Sequence, residues 1–302
     1  MMHDYVSKLI ENLPDNFKTC KTPLRIDLVL DGGVFNGSYL VGALGFLKEM
    51  ERRNYIKIER ISGCSIGAMA AFLYYIDAMD LMVSLYETAN AEFKSTHQMT
   101  FLKEFKQHVI ARTPEDICEQ INGKLFVCFH NIVKGTKKTR CKFKNIDDLI
   151  CTLIKSSFVP YLIDGEILYK NACIDGINPY MFDPVPHKQI LHLDLFGYDK
   201  IGHFFNVKNE KTNHHRVLSG LLDIHSFFIK GHSTPMCSFV NEWSIWNKTM
   251  YRFKLAFERI CVHIIYALIY MKAVFPNDTL AFKLASVVAR DVCIVLLERY
   301  CI

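Results

Sequence analysis

The amino-acid sequence predicts an α/β fold with a mainly parallel central sheet flanked by helices and a helical C-terminal region. Three observations predict it. Between residues 26 and 79, short β-branched and apolar runs alternate with segments of helical spacing, the pattern of parallel strands covered by helices. Half of the 302 residues are hydrophobic and 22% are charged, which supplies a sizeable core and excludes intrinsic disorder. From about residue 218 onward the pattern is helical. At roughly 150 residues per domain the length allows one large domain or two smaller ones. The expected division is a lead-in over 1–22, the α/β domain over 23–200, and a mainly helical region over 201–302 packed on that domain or on a membrane.

Residues 1–22 read as a short helix carrying Tyr5, Leu9, Ile10 and Leu13, then a polar lead-in to Pro23. Ile26–Leu30 is a β-branched run and therefore a strand. Asp31–Gly37 breaks it, after which Leu40, Leu44 and Leu47 recur at helical spacing as far as Arg52 and Arg53. Ile58–Ser62 is a second strand, Gly63–Gly67 a turn, and Ala68–Met79 an apolar helix. Residues 80–122 read as mainly helical. Leu125–Val133 and Lys138–Lys144 read as two strands joined near Gly135. Asp147–Phe158 is a helix whose first two acids suit the positive end of its dipole, and Pro160 stops it. A turn at Asp164–Glu166, a short strand at Ile167–Tyr169, the Asp175-Gly176 pair and a last strand at Leu191–Phe196 complete the domain.

Composition restricts the partners. The net charge of +5 permits attraction to anionic membrane surfaces without marking a dedicated nucleic-acid binder. The mean hydropathy of +0.11 is high for a soluble protein and directs attention to a membrane-contacting face. The N-terminal residues lack a basic segment followed by an apolar run, so no secretory signal is expected. Eleven cysteines without a C-x-x-C pair are expected as small buried side chains in a reducing compartment. No His/Cys cluster has zinc spacing, and neither a metal nor a cofactor is expected. The uncharged run Ile260–Met271 is too short for a span, which needs about 18 residues or more. An intracellular chain, cytoplasmic or peripherally membrane-associated, is the expectation.

The sharpest local signal is Gly63-Cys64-Ser65-Ile66-Gly67, a G-x-S-x-G between a strand and a helix. On such a turn the serine hydroxyl projects from the carboxyl end of the strand, and the flanking glycines relieve backbone crowding. The next helix points its N-terminal amides at developing negative charge. The second signal is the glycine-rich loop Asp31–Gly37. A glycine turn that opens a helix offers free N–H groups to an anion, either a tetrahedral oxyanion or a phosphate. It lacks the Gly-Lys-Ser/Thr end of a P-loop and the G-x-G-x-x-G spacing, and a ligand-free tight turn is the plain alternative. The third signal is Asp175-Gly176. A serine needs a base within hydrogen-bond reach, and a carboxylate away from bulk water can serve; an ordinary Asp-Gly turn is the alternative.

Together these features resemble the patatin-like phospholipase family: a strand ending in Asp-Gly-Gly, a helix, a second strand, G-x-S-x-G, and a later Asp-Gly. Ser156-Ser157-Phe158-Val159-Pro160, followed by Asp164-Gly165 and Asp175-Gly176, is similar to the family's segment of small residues leading into its catalytic aspartate. The resemblance covers roughly residues 24–195. It implies an α/β fold, hydrolysis of phospholipid or related acyl esters, and a Ser–Asp dyad with no histidine. Ser65 is then the nucleophile that forms the acyl-enzyme. Asp175 is the general base. The amides of Gly32, Gly33 and Val34 are the oxyanion hole, and Gly37, Gly63, Gly67 and Gly176 support the motifs.

The sequence departs from that family at three places. Val34 replaces the third loop glycine, Asn36 replaces the loop's basic residue, and Ile177 follows Asp175-Gly176 where glycine or alanine is usual. Val34 is β-branched and resists positive φ, so a loop that requires that conformation would be strained. Losing one oxyanion donor costs about 100- to 1,000-fold in rate. A catalytically silent lipid-binding or membrane-associated protein is therefore the alternative, and a nucleotide binder using the glycine loop is a third reading.

Six basic residues between 134 and 144 suit either anionic headgroups or a solvated hairpin edge. Phe253–Tyr300 suits either a bilayer interface or a helical cap. His187, His192, His203, His214, His215, His225 and His232 follow Asp175 and leave a Ser–Asp–His triad formally open.

Overall fold

A computed structural model describes residues 2–19, 22–197, 200–208, 210, 212–274, 295, 298 and 299. The expected helix beyond residue 274 lies outside the described residues apart from those isolated positions. The helices are α1 (Met2–Glu11), α2 (Asp15–Thr19), α3 (Gly37–Arg52), α4 (Ile66–Tyr75), α5 (Leu81–Thr96), α6 (Phe105–Val109), α7 (Ile117–Ile121), α8 (Ile146–Ser156), α9 (His214–Lys230) and α10 (Ile245–Val274). The strands are β1 (Leu24–Leu30), β2 (Ile56–Gly63), β3 (Leu125–Asn131), β4 (Thr136–Arg140), β5 (Cys173–Asp175), β6 (Gln189–Leu193) and β7 (Cys237–Phe239).

The fold is α/β, with one central sheet ordered β4-β3-β2-β1-β6-β7. β3, β2, β1 and β6 run parallel; β4 and β7 close the two edges antiparallel. β1 lies in the middle and is buried from Ile26 through Leu30, as a parallel strand covered on both faces must be. α4 is apolar on every side and its residues Gly67–Tyr74 are all buried. After β1 the chain crosses to β2 and β3 on one side, and β6 later joins on the other. The C-terminal ends of β1 and β2 therefore open at a point where the strand order reverses, where open α/β sheets form their crevices.

β5 gives the sheet its functional geometry. β2 pairs with β3 only as far as Gly63, opposite Val127. Beyond that point β5 takes over beside β3, with Asp175 opposite Phe129. Asp175 is thus delivered just past the end of the strand that leads to Ser65. The strand expected at Ile167–Tyr169 is absent; Tyr169 makes a single bridge to Cys173 across a turn in which Lys170 and Asn171 have positive φ. β7 interrupts the region read as continuously helical, since three residues are too few to show a strand period. No disulfide joins the described cysteines.

Two buried ionic clusters dock α10 across the C-terminal ends of the sheet. Lys254 Nζ lies 2.5 Å from Asp31 Oδ2 and 3.1 Å from Asp194 Oδ1, while His192 Nε2 lies 3.1 Å from Asp31 Oδ1. Burial alone would raise the Asp31 carboxyl, but Lys254 and His192 hold it well below the usual carboxylate range. One turn later, Glu258 meets His130 Nε2 at 2.8 Å, Lys137 Nζ at 2.8 and 3.0 Å, and Asn178 Nδ2 at 2.7 Å. Lys137 and, through Asp148, Arg140 are consumed in internal pairs, so the basic stretch after residue 134 is not a free patch throughout.

Lys254→Met leaves the buried Asp31 carboxylate without its counter-charge and is expected to lower the unfolding free energy by about 3–5 kcal/mol. Adding Asp31→Asn should restore part of that loss in urea denaturation. A Lys254→Met chain as stable as wild type contradicts this reading of α10.

Candidate active site

The G-x-S-x-G segment forms the expected sharp turn. β2 ends at Gly63, Ser65 sits at φ 52 and ψ −133, and α4 begins at Ile66. That backbone is strained for a residue with a Cβ and persists only where its surroundings over-determine it. The constraint is a close approach: a Cβ on Gly67 would lie 2.4 Å from the carbonyl oxygen of Asp31. The turn after β1 and the turn after β2 are pressed backbone to backbone, and Gly63 and Gly37 sit within the same contact zone, Gly37 against Ile66.

Ser65 is further fixed from α8. Its amide donates to the carbonyl oxygen and to Oγ of Ser156, each at 3.0 Å. Ser156 Oγ in turn donates to the Cys128 carbonyl at 2.5 Å. The same Ser156 carbonyl accepts the Gly176 amide at 3.2 Å, and the Phe158 carbonyl accepts that of Asp175 at 2.9 Å. A Cβ on Gly176 would lie 2.3 Å from the Cys128 carbonyl oxygen, so only glycine fits this junction. Ser156 belongs to a motif that the sequence singled out without a role; the structure ties both candidate catalytic turns to it.

Asp175 is buried and faces Ser65. Desolvation pushes its carboxyl up to about 6, against the lowering influence of the Ser65 hydroxyl and the Ile177 amide, which donates to Oδ1 at 2.7 Å. The Ser65 hydroxyl is near enough to lower the carboxyl, yet the pair falls short of a well-formed hydrogen bond, and Oδ2 has no hydrogen-bond partner among the described residues. Among the described residues, no histidine hydrogen-bonds to Ser65 or Asp175. His192 is instead committed to Asp31.

The glycine loop lies directly against the serine: a Cβ on Gly32 would be 2.9 Å from Ser65 Cβ. Among the described residues, the amides of Gly32, Gly33 and Val34 donate to no protein acceptor, whereas those of Asp31, Phe35 and Asn36 do. Val34 takes φ 46 and Ile177 takes φ 59. Both β-branched replacements keep the left-handed backbone that glycine would adopt freely, at a strain of roughly 1–3 kcal/mol each. Asn36 reaches a cation that the linear sequence did not reveal. Its Oδ1 accepts from Arg216 Nη1 at 2.8 Å, and its amide nitrogen donates to the carbonyls of Leu195 and Lys200. Arg216, fully buried on α9, spends its other donors on Glu210 and the carbonyls of His203 and Asn206. This network straps the segment after β6 to the back of the glycine loop.

The site opens into an apolar groove of about 460 Å³, lined by Gly32, Gly33, Val34, Ser65, Asp175 and Ile177 and walled by Phe257, Cys261 and Ile264 of α10. The arrangement can abstract a proton from a serine hydroxyl and receive an anion on backbone amides.

The raised Asp175 carboxyl has a consequence for stability. Its folded-state value lies above the ordinary 3.8, so the group stabilises the fold below that value and loses the contribution as pH rises through about 6. Asp175→Asn is therefore expected to be more stable than wild type above pH 7, by up to about 3 kcal/mol, with the difference vanishing near pH 4. Thermal melts of both proteins across pH check this; equal pH dependence contradicts the buried carboxyl.

A patatin-like phospholipase family model matches residues 28–177. The match begins inside β1 and ends two residues beyond Asp175, so it encloses the glycine loop, the serine elbow and the Asp-Gly turn. A search of curated proteins returns no match. With the sheet, the elbow and the two turns arranged as described, the chain belongs to the patatin-like phospholipase family through this domain.

Proposed function

We propose that the chain is a serine lipid acyl hydrolase that cleaves phospholipids or related acyl esters with a Ser65–Asp175 dyad. The observation that carries the proposal is the convergence, in one apolar groove, of a strained serine, a facing buried carboxylate and three unpaired loop amides. Asp175 takes the Ser65 proton as Oγ attacks the acyl carbonyl carbon. The amides of Gly32, Gly33 and Val34 receive the tetrahedral oxyanion. The carbon–oxygen bond to the alcohol breaks, its electron pair goes to the departing oxygen, and Asp175 returns the proton there. Asp175 then takes a proton from water, the hydroxide attacks the acyl-enzyme, and Ser65 leaves reprotonated with release of the carboxylic acid.

A carboxyl poised near 6 suits this exchange, because it is ionised at neutral pH yet basic enough to accept a proton. The silent lipid-binding alternative rests on Val34, Asn36 and the apolar C-terminal region. With Val34 held left-handed and the loop amides unpaired, the donors remain available, which supports turnover.

We further propose that α10 meets the lipid surface. Trp246, 69% exposed, and Phe253, Phe257, Ile260 and Ile264 form an exposed apolar stripe interleaved with exposed Lys248, Arg252 and Arg259. Phe257 and Ile264 also wall the groove, so the stripe continues into the site. None of the described helices is long and apolar enough to cross a membrane. The stripe suits contact with the interface plane.

Fatty-acid release from phospholipid vesicles tests the assignment. Ser65→Ala and Asp175→Asn should each reduce turnover by about 1,000-fold or more in folded protein. The wild-type rate should rise with pH through about 6 and then level, as the base becomes ionised. Retained turnover in either variant contradicts the dyad.

A further inference from the structure

Ser65 lies at the junction of two apolar clefts. The outer groove, already described, contains Asp175, Gly32 and Gly33 in its lining. A second, inner cleft of about 70 Å³ is lined by Ser65 and by Met69 and Leu73 of α4, with Met82, Met99 and Phe105 opposite. The two share Val34, Ser65 and Val159, and Asp175 lines only the outer one.

Proton bookkeeping assigns the two sides, given the acyl-hydrolase reading on which this inference rests. Asp175 must reach the departing alcohol oxygen to protonate it and then the incoming water to deprotonate it. Both therefore occupy the outer groove. The acyl chain, bonded to the same carbonyl carbon, must leave by the other side of Val34. We propose that the inner cleft is the acyl-chain site and takes one unbranched chain, while the outer groove takes the alcohol portion and the deacylating water.

The inner cleft has the matching chemistry. Among the described residues its lining has no charged side chain. The Tyr86 hydroxyl is spent on Glu210 at 2.5 Å, and the Ser38 hydroxyl accepts from Asn213 at 3.1 Å. Ser157 Oγ lacks a protein partner among the described residues, but a charged headgroup placed there would lose its water with no counter-charge to replace it. The cleft follows α4: Leu73 is two turns beyond Ser65, about 12 Å along the helix axis. Three methionines line it, and their flexible thioethers let a narrow cleft adjust to a chain.

Turnover of p-nitrophenyl esters from butyrate to palmitate by the purified chain tests the assignment, since the leaving group stays constant while the acyl chain grows. Met69→Trp should lower the kcat/KM ratio of dodecanoate to butyrate by about tenfold or more. Leu73→Ala should move the optimum toward longer chains. Cys261→Trp, on the α10 wall, should leave the ratio within about twofold while slowing phospholipid relative to p-nitrophenyl ester turnover. If Met69→Trp loses butyrate turnover as well, Leu73→Ala decides, and an unmoved optimum overturns the proposal. A ratio that shifts with Cys261→Trp but not with Met69→Trp overturns it by reversing the two clefts. A wild type that cleaves none of the esters refutes the acyl-hydrolase reading itself and this assignment with it.

Discussion

The carbonyl oxygen of Ser156 accepts amide hydrogens from Ser65 and from Gly176, and the rest of the site depends on that shared acceptor. It stands at the C-terminal end of α8, where the last carbonyls of a helix have no intrahelical partner and must be satisfied from outside. Here the serine elbow and the aspartate turn satisfy it. One unsatisfied helix end is thereby converted into the link between two segments more than a hundred residues apart in sequence. The requirement explains the sterics around it: Gly176 fits because Cys128 already occupies the space a side chain would need, and Ser156 Oγ bonds that same Cys128 carbonyl. Strand β5 then needs only three residues, since the hydrogen bonds to Ser156 and Phe158 fix what its short ladder alone would not.

Strain and charge are distributed around this link in a consistent way. Ser65, Val34 and Ile177 all hold positive φ, and each borders the groove. A backbone under such strain needs a rigid frame, and the frame is ionic as well as apolar. Lys254 neutralises Asp31 at the head of the glycine loop, Glu258 gathers His130, Lys137 and Asn178, and Arg216 grips the loop through Asn36. These pairs stand behind the loop or at its flanks. Among the described residues no basic side chain pairs directly with Asp175, and burial pushes its carboxyl up toward neutrality. The contrast with Asp31, whose carboxyl is driven the other way by Lys254, separates a structural acid from one suited to move protons.

Much of this was legible in the sequence, and the remainder was hidden for physical reasons. The β-branched and apolar run of β1, the all-apolar α4 and the two glycine-bearing turns are local patterns, and each lies where periodicity and turn chemistry put it. Ser65, Asp175, Gly32, Gly33 and Val34 converge on one groove because the order of strands and turns dictates where each turn ends. The handover from β2 to β5 beside β3 has no local signature: three residues carry no period, and the strand was instead expected at Ile167–Tyr169. β7 was missed for the same reason. Lys254, Glu258 and Arg216 act across the fold from helices that read simply as apolar or amphipathic. A cation that answers Asn36 from position 216 is invisible without the crossing of α9 over the sheet. The strain at Val34 is suggested by residue type, that at Ile177 is not, and only the backbone angles show that the chain accepts both.

The central claim is that Ser65 is an activated nucleophile, made so by Asp175 and by the unpaired amides of the glycine loop. The most direct measurement is covalent labelling of the intact protein with a fluorophosphonate at neutral pH, followed by peptide mapping of the adduct. The account predicts a single adduct on Ser65, sharply slowed when Asp175 is replaced by asparagine in folded protein. An adduct on a different serine, or a folded wild-type chain that stays unlabelled, would contradict it.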